Sequence, residues 1–202
     1  MAIGGTKAYE GKDEELPPLV RTAVEAARAM GFESSCLPSH GRLLQVLAGG
    51  VGDGVIGETG TGAGVGLAWL ASGARPGVRL VSIERDAELA AIAGALFAGV
   101  PGVSVRLGDW RELAAERPFS LLALDGGGQG KGGDAPVDPR VWLRPGGVVV
   151  MDDFTPATQW PPQFAGQPDD ARMFWFEHPE MLATEITTEP GACSLVAVRR
   201  PS

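Results

Sequence analysis

The 202-residue chain has little of what marks several common protein classes. It holds two cysteines, Cys36 and Cys193, far apart and without metal-type spacing. That excludes a disulfide framework or a structural zinc cluster and points to plain thiols in a reducing compartment. Cations are scarce: 17 Lys and Arg stand against 25 Asp and Glu, for a formal net charge of −8 and a pI near 4.8. A surface that grips phosphate backbones needs a basic footprint, and Arg199 with Arg200 does not make one. Nucleic acid and anionic membrane are thus excluded as main partners. No apolar run approaches a membrane span, and the opening "MAIGGTKAYEGKDEELPP" lacks the apolar centre of a secretory signal. The expectation is a cytoplasmic protein. Neither an internal repeat nor a G-x-x-x-x-G-K-[ST] phosphate loop is present.

What is there has the rhythm of an α/β domain. Residues 1–15 are polar and read as a loose arm, with one domain over 16–202. Pro17 and Pro18 open a helix that Gly31 stops, "SCLPSH" reads as a loop, and Leu43, Leu44 and Leu47 mark a second helix. Short apolar runs follow at 54–58, 78–84, 103–107, 119–125 and 147–152, with helical stretches between the early ones. Such runs joined by crossovers imply a parallel sheet with helices on both faces. The tail 181–200 reads as two extended runs about Glu189-Pro190-Gly191, an antiparallel hairpin.

The ligand signal is "GETGTGAGVG" at 57–66, directly after the first apolar run. "GDGVIG" at 52–57 matches the letters of a dinucleotide fingerprint but lies across the strand instead of behind it. In the well-placed loop Val65 stands where a third glycine belongs. Glu58 leads this loop, and a carboxylate about 4 Å from a phosphate costs roughly 4 kcal/mol per charge pair at an effective dielectric near 20. A cationic ligand without phosphate turns that cost into attraction. Glu84, closing the second run in "VSIERD", is placed to accept both hydroxyls of a ribose. Asp109, with Trp110 beside it, follows the third run, where a base edge can be met; a helix cap is the plain alternative.

With these residues in place the chain resembles the class I S-adenosylmethionine-dependent methyltransferases. The likeness rests on "ETGTGAG", Glu84, "GDW" at 108–110, "LLALD" at 121–125 and "LRPGGVVVMDD" at 143–153, and spans roughly residues 40–200. It implies a Rossmann-like fold: a mostly parallel seven-stranded sheet ending in an antiparallel hairpin. It also implies S-adenosylmethionine as cofactor, held by Glu58, Thr59, Gly60, Thr61, Gly62, Gly64, Glu84, Arg85, Gly108, Asp109, Trp110 and Asp125.

Within that family the strand-end acids Asp125, Asp152 and Asp153 look like those of the cation-dependent O-methyltransferases of the catechol and caffeoyl-CoA type. "SHGRLLQVL" at 39–47 resembles their opening helix. The likeness implies a site for Mg2+ or another divalent cation on Asp125, Asp152 and Asp153, and methylation of a small hydroxylated acceptor. Two departures stand out. Where those enzymes carry a lysine base this chain has Gly128, within "DGGGQGKGGD", and Asp-Asp replaces the commoner Asp-Asn. Lys131, three residues on, is a substitute if the loop folds back, and His40 is a second candidate base. Trp160, Phe164, Phe174, Trp175 and Phe176 are candidates for an aromatic roof, while His178 reads as structural. An aminopropyltransferase, a cofactor-binding protein without turnover and, more remotely, a dehydrogenase are the competing readings. A homodimer is compatible with all of them.

Overall fold

The computed structural model describes residues 4–201. Proline begins each of the first two helices, α1 (Pro18–Ala29) and α2 (Pro38–Gly50), where its missing N–H costs nothing. α1 buries Val20, Ala23, Val24 and Ala27, a spacing of three and four that makes one stripe. Gly31, at φ +70°, ends it, and the Phe32 N–H returns to the Ala27 oxygen. That return aims Phe32 at the loop that follows the first strand.

The chain then alternates: β1 (Val55–Thr59), α3 (Val65–Gly73), β2 (Arg79–Glu84), α4 (Ala87–Phe97), β3 (Val103–Leu107), a 3-10 segment (Trp110–Glu116) and β4 (Phe119–Leu124). A short α5 (Pro139–Trp142) precedes the long β5 (Leu143–Phe154). The two-residue strands β6 (Gln163–Phe164) and β7 (Gln167–Pro168) make a small flap, followed by α6 (Asp170–Glu177), β8 (Met181–Glu189) and β9 (Ala192–Arg199). The main sheet has seven strands in the order β3-β2-β1-β4-β5-β9-β8. The first five are parallel, and the terminal hairpin joins antiparallel. This is the Rossmann-like, mostly parallel sheet with a closing hairpin that the spacing of apolar runs implied.

Alternate residues of the strands feed two cores. Ile56, Leu80, Leu121, Ala123 and Val150 pack with α1, α2 and α3 on one face. Val81, Ile83, Leu122, Leu124, Val149 and Met151 pack with Leu113, Trp142 and Trp175 on the other. Burial on both faces is why these strands read as continuous apolar runs. Strand order reverses between β1 and β4, so their carboxyl ends open a crevice there.

Two expectations change. The described part of the presumed loose arm is docked: Tyr9 is fully buried, its hydroxyl donates to the Cys36 oxygen at 2.9 Å and accepts from Trp69 Nε1 at 3.0 Å, and Thr6 Oγ1 donates to the Phe32 oxygen. The composition of this arm is polar, but its few apolar and hydroxyl side chains are the ones that turn inward. The aromatic cluster also divides. Trp175 is fully buried and donates to the Gln129 oxygen, and Phe174 and Phe176 pack on that core, whereas Phe164 and Trp160 are exposed.

A buried cation fastens this last region. Arg172, 2% exposed, holds Asp169 through Nε at 3.0 Å, pairs with Glu185 of β8 and donates to the Thr155 oxygen. Removing one member of such a group leaves buried charge uncompensated. Arg172→Ala is expected to cost about 3–5 kcal/mol and to lower the melting temperature by about 10 °C, measured by circular dichroism; a change within about 2 °C would show that the network carries no stability.

Candidate functional site

The crevice floor is made where two loops touch. Thr59, ending β1, accepts the N–H groups of Asp125 and Gly126 on its main-chain oxygen, and its hydroxyl donates to the Gly127 oxygen at 2.9 Å. Gly60 takes φ +81°, and a Cβ there would lie 2.5 Å from the Gly126 nitrogen. Only glycine satisfies both the dihedral and the approach. Beyond it, the Gly62 N–H donates to Glu84 Oε2 at 2.8 Å, and Gly64, at φ +91°, starts α3 against Phe97.

Above this floor lies a cleft of about 490 Å3. Of the residues expected to hold a cofactor, Gly60, Gly62, Glu84, Arg85, Gly108, Asp109, Trp110 and Asp125 line it. Glu84 is the best placed. Oε1 accepts the Asp86 N–H at 3.0 Å and Oε2 that of Gly62. Each carboxylate oxygen thereby keeps a second acceptor direction, which suits a pair of neighbouring hydroxyls. Asp109 is exposed and caps the 3-10 segment, accepting from Arg111 N and paired with the Arg111 guanidinium; these contacts hold its carboxyl below the usual range. Trp110 is half-buried beneath that guanidinium, 4.5 Å away, and faces Gly127.

Glu58 lies deeper than expected. Its carboxyl is not at the mouth but under the loop, 4% exposed, accepting from Ser82 and lying against Gly66 of α3. Thr61 is likewise buried on Ser82, and Thr59 and Gly64 are covered. Burial raises the Glu58 pKa to about 8, against the Ser82 hydrogen bond, with Asp125 and Glu84 adding to the rise. Burial thus favours the protonated form of Glu58, which lines an enclosed cavity together with His40, Gly60, Gly62 and Asp125. The charge that a ligand meets comes from Glu84, Asp109, Asp125, Asp134 and Asp153, against Arg85, Arg111 and Lys131. The balance still disfavours diphosphate.

Lys131 does fold back. Its Nζ donates to the main-chain oxygens of Asp152 and Asp153, both at 2.8 Å, and lies 3.7 Å from the centroid of the Phe154 ring. Burial lowers its pKa to about 8, with Asp152 and Asp125 opposing the shift. Gly128, where a lysine was missed, has φ +87°, and a Cβ there would lie 2.9 Å from Val137. The backbone itself refuses a side chain at that position. His40 belongs to the first turn of α2, not to a loop; it is buried and lines an enclosed cavity that shares Gly60, Gly62 and Asp125 with the cleft. Its Nδ1 meets Ser194 Oγ at 2.7 Å and Asp152 Oδ1 at 3.6 Å, and burial lowers its pKa.

The metal expectation does not fit. Among the described residues no group of three or more His, Cys, Asp or Glu gathers to hold an ion. Consecutive residues of a strand point to opposite faces: Asp152 is buried beside His40, while Asp153, at φ +63°, turns outward. Asp125 is half-buried, its pKa raised by burial and by Asp152. A divalent ion about 4 Å from the Lys131 ammonium would meet roughly 8 kcal/mol of repulsion at an effective dielectric near 20.

A second cleft of about 440 Å3 adjoins the first, sharing Lys131, Gly132 and Asp153, and is walled by Phe154, Phe164, Pro168 and Ala171. Of the expected aromatic roof, only Phe164 lines it. Two residues escaped sequence reasoning. Phe32 closes the glycine loop from outside, and Gln129, buried, donates to the Leu124 and Asp125 oxygens at 2.9 and 3.1 Å and so sets the loop that carries Lys131. The Gly31 helix stop was a signal for the first; none existed for the second. Both cysteines are free and buried, as plain thiols would be. His178 caps α6 and accepts from Glu180 N.

No family model matches the chain. A protein of Mycolicibacterium vanbaalenii with the provisional name O-methyltransferase is 34% identical over 147 residues, 66% of this chain and 61% of that protein. The chain thus spans about three fifths of the length of the curated relative it matches. Among solved structures, cofactor-bound Rv0187 from MTB is 25% identical with a TM-score of 0.73, over 100% of this chain and 99% of that one. An O-methyltransferase from Bacillus cereus in complex with SAH is 21% identical with a TM-score of 0.72, over 96% and 100%. TomG, an O-methyltransferase from Streptomyces achromogenes in complex with SAM, is 23% identical with a TM-score of 0.72, over 96% and 98%.

The raised Glu58 pKa has a sign that can be checked. An acid protonated more readily when folded contributes fully below its unfolded value, and the contribution is lost as pH rises through about 8. Wild-type melting temperature should therefore fall between about pH 5 and pH 9, and Glu58→Gln should remove at least about 3 °C of that fall. Parallel pH profiles would show that Glu58 is ionised in the folded chain.

Proposed function

The chain carries the Rossmann-like fold of the class I methyltransferases, and on that premise we propose that it moves a methyl group from S-adenosylmethionine to a hydroxyl of a small, apolar or aromatic acceptor. The observation that carries this reading is the pairing of clefts. One, at the carboxyl ends of β1 to β4, offers the Glu84 carboxylate and a glycine loop; the other, with an apolar wall of Phe154, Phe164, Pro168 and Ala171 and acids at Asp153, Asp169 and Asp170, meets it at Lys131.

In this reading Glu84 takes the two ribose hydroxyls, each charge-assisted bond contributing about 1.5–3 kcal/mol. Trp110 and Asp109 border the base. Gly60, Gly62 and Asp125 face the aminoacyl end, whose positive charge suits the acidic lining. When bound, the cofactor supplies a methyl group already activated by a sulfonium, so the chain's own task is alignment. The rigid floor of Thr59, Gly60 and Gly126 fixes one reactant, and Phe154 and Phe164 hold the acceptor ring so that its oxygen lies in line; such orientation is the larger part of what two-reactant catalysis requires. Phe32, packed beside Gly62, supports the loop from its outer side.

The fit of Glu84 is tested by binding. S-adenosylmethionine or its demethylated product should raise the melting temperature, while NAD should not. In calorimetric titration Glu84→Ala should weaken the product's binding by at least about tenfold, the lower end of one charge-assisted bond. An unchanged dissociation constant removes Glu84 from the ribose, and stabilisation by NAD alone ends the methyl-transfer reading.

A further inference from the structure

Lys131 stands where the two clefts meet. The main-chain oxygens of Asp152 and Asp153 converge on its Nζ at 2.8 Å, which engages two of its three N–H donors, and the ring of Phe154 lies beside it at 3.7 Å from the centroid. Carbonyl oxygens and an aromatic face are what a small cation seeks. Their convergence is built by the backbone: Asp153 takes φ +63°, which non-glycine residues seldom adopt, just where the pairing of β5 with β9 is interrupted. Asp125 and Asp152 lie close enough for their charge to be felt by the ammonium. This is a cation site already filled by a side chain.

We propose that the Lys131 ammonium takes the place of a divalent ion in this protein, so that the acceptor oxygen docks against a cation that belongs to the chain and no metal is needed. The inference rests on the methyl-transfer reading. The acceptor hydroxyl gives its proton to water, and the resulting oxyanion is held by the ammonium. An oxygen lone pair forms the bond to the methyl carbon as the sulfur–carbon bond breaks, and that pair of electrons returns to sulfur, leaving a neutral thioether. Lys131 neither gains nor loses a proton. Gln129 and Trp175 act as positioning residues, since they hold the loop from which Lys131 reaches back.

The test is Mn2+ binding by the full chain, followed through the loss of the free-ion paramagnetic resonance signal, in wild type and Lys131→Ala. Wild type is expected to leave the signal unchanged, while Lys131→Ala, with the carbonyls and neighbouring acids uncovered, is expected to bind about one equivalent at least about tenfold more tightly. Stoichiometric binding by wild type would overturn the proposal, and so would failure of Lys131→Ala to gain any. Calorimetric titration of both proteins with S-adenosylhomocysteine separates the two readings. Binding by both supports the placement, whereas none in wild type sinks the methyl-transfer reading whatever the metal result.

Discussion

The contact on which the rest depends is the one between two loops, at Gly60 and Gly126. Here the strand order of the sheet reverses, and two chain segments that would otherwise diverge are brought to backbone contact. Thr59 fastens them through its oxygen and hydroxyl. With this floor fixed, the loop after β1 can lean on Glu84 and the loop after β4 can carry Gln129 and Lys131 outward. Neither loop has a core of its own. Each is rigid because the other one is there.

Acids dominate what surrounds that floor, and the fold manages them in three ways. Glu58 is covered, which raises its pKa to about 8, Glu84 is tied down by two N–H groups while still facing the cleft, and Asp152 is turned to His40. A cluster of strand-end carboxylates is thus resolved by burial, hydrogen bonding and separation to opposite faces of β5. The single ammonium of Lys131 serves the part of the cluster that faces both clefts. The cation-dependent pattern and this chain differ through backbone conformation more than through composition: Gly128 cannot carry a side chain, and the strained turn at Asp153 offers carbonyls in place of carboxylates.

The sheet was legible in the sequence because both of its faces are buried, so each strand stands out as a short apolar run between helical stretches. The placement of Glu84 and the glycine loop at the cleft was legible because both stand at strand ends. Glu58 lies deeper than its place before the loop suggests, because side chains alternate along a strand and a residue one place from the loop can point beneath it. His40 was misplaced because helix α2 begins at Pro38, a turn before its apolar pattern starts. Residues 4–15 were judged by composition, which does not reveal that Tyr9 would find a partner in Trp69 sixty residues away. Gln129 left no trace in the sequence at all, since its contacts are to backbone atoms of its own loop.

The central claim is that this cleft holds an adenosyl group by its ribose, with the reactive end toward Lys131. A crystal structure of the chain with S-adenosylhomocysteine tests it most directly. The account predicts both ribose hydroxyls within hydrogen-bond distance of Glu84 and the sulfur on the side of the cleft shared with Lys131 and Asp153. A ribose bound elsewhere, or a sulfur facing away from Lys131, would contradict it.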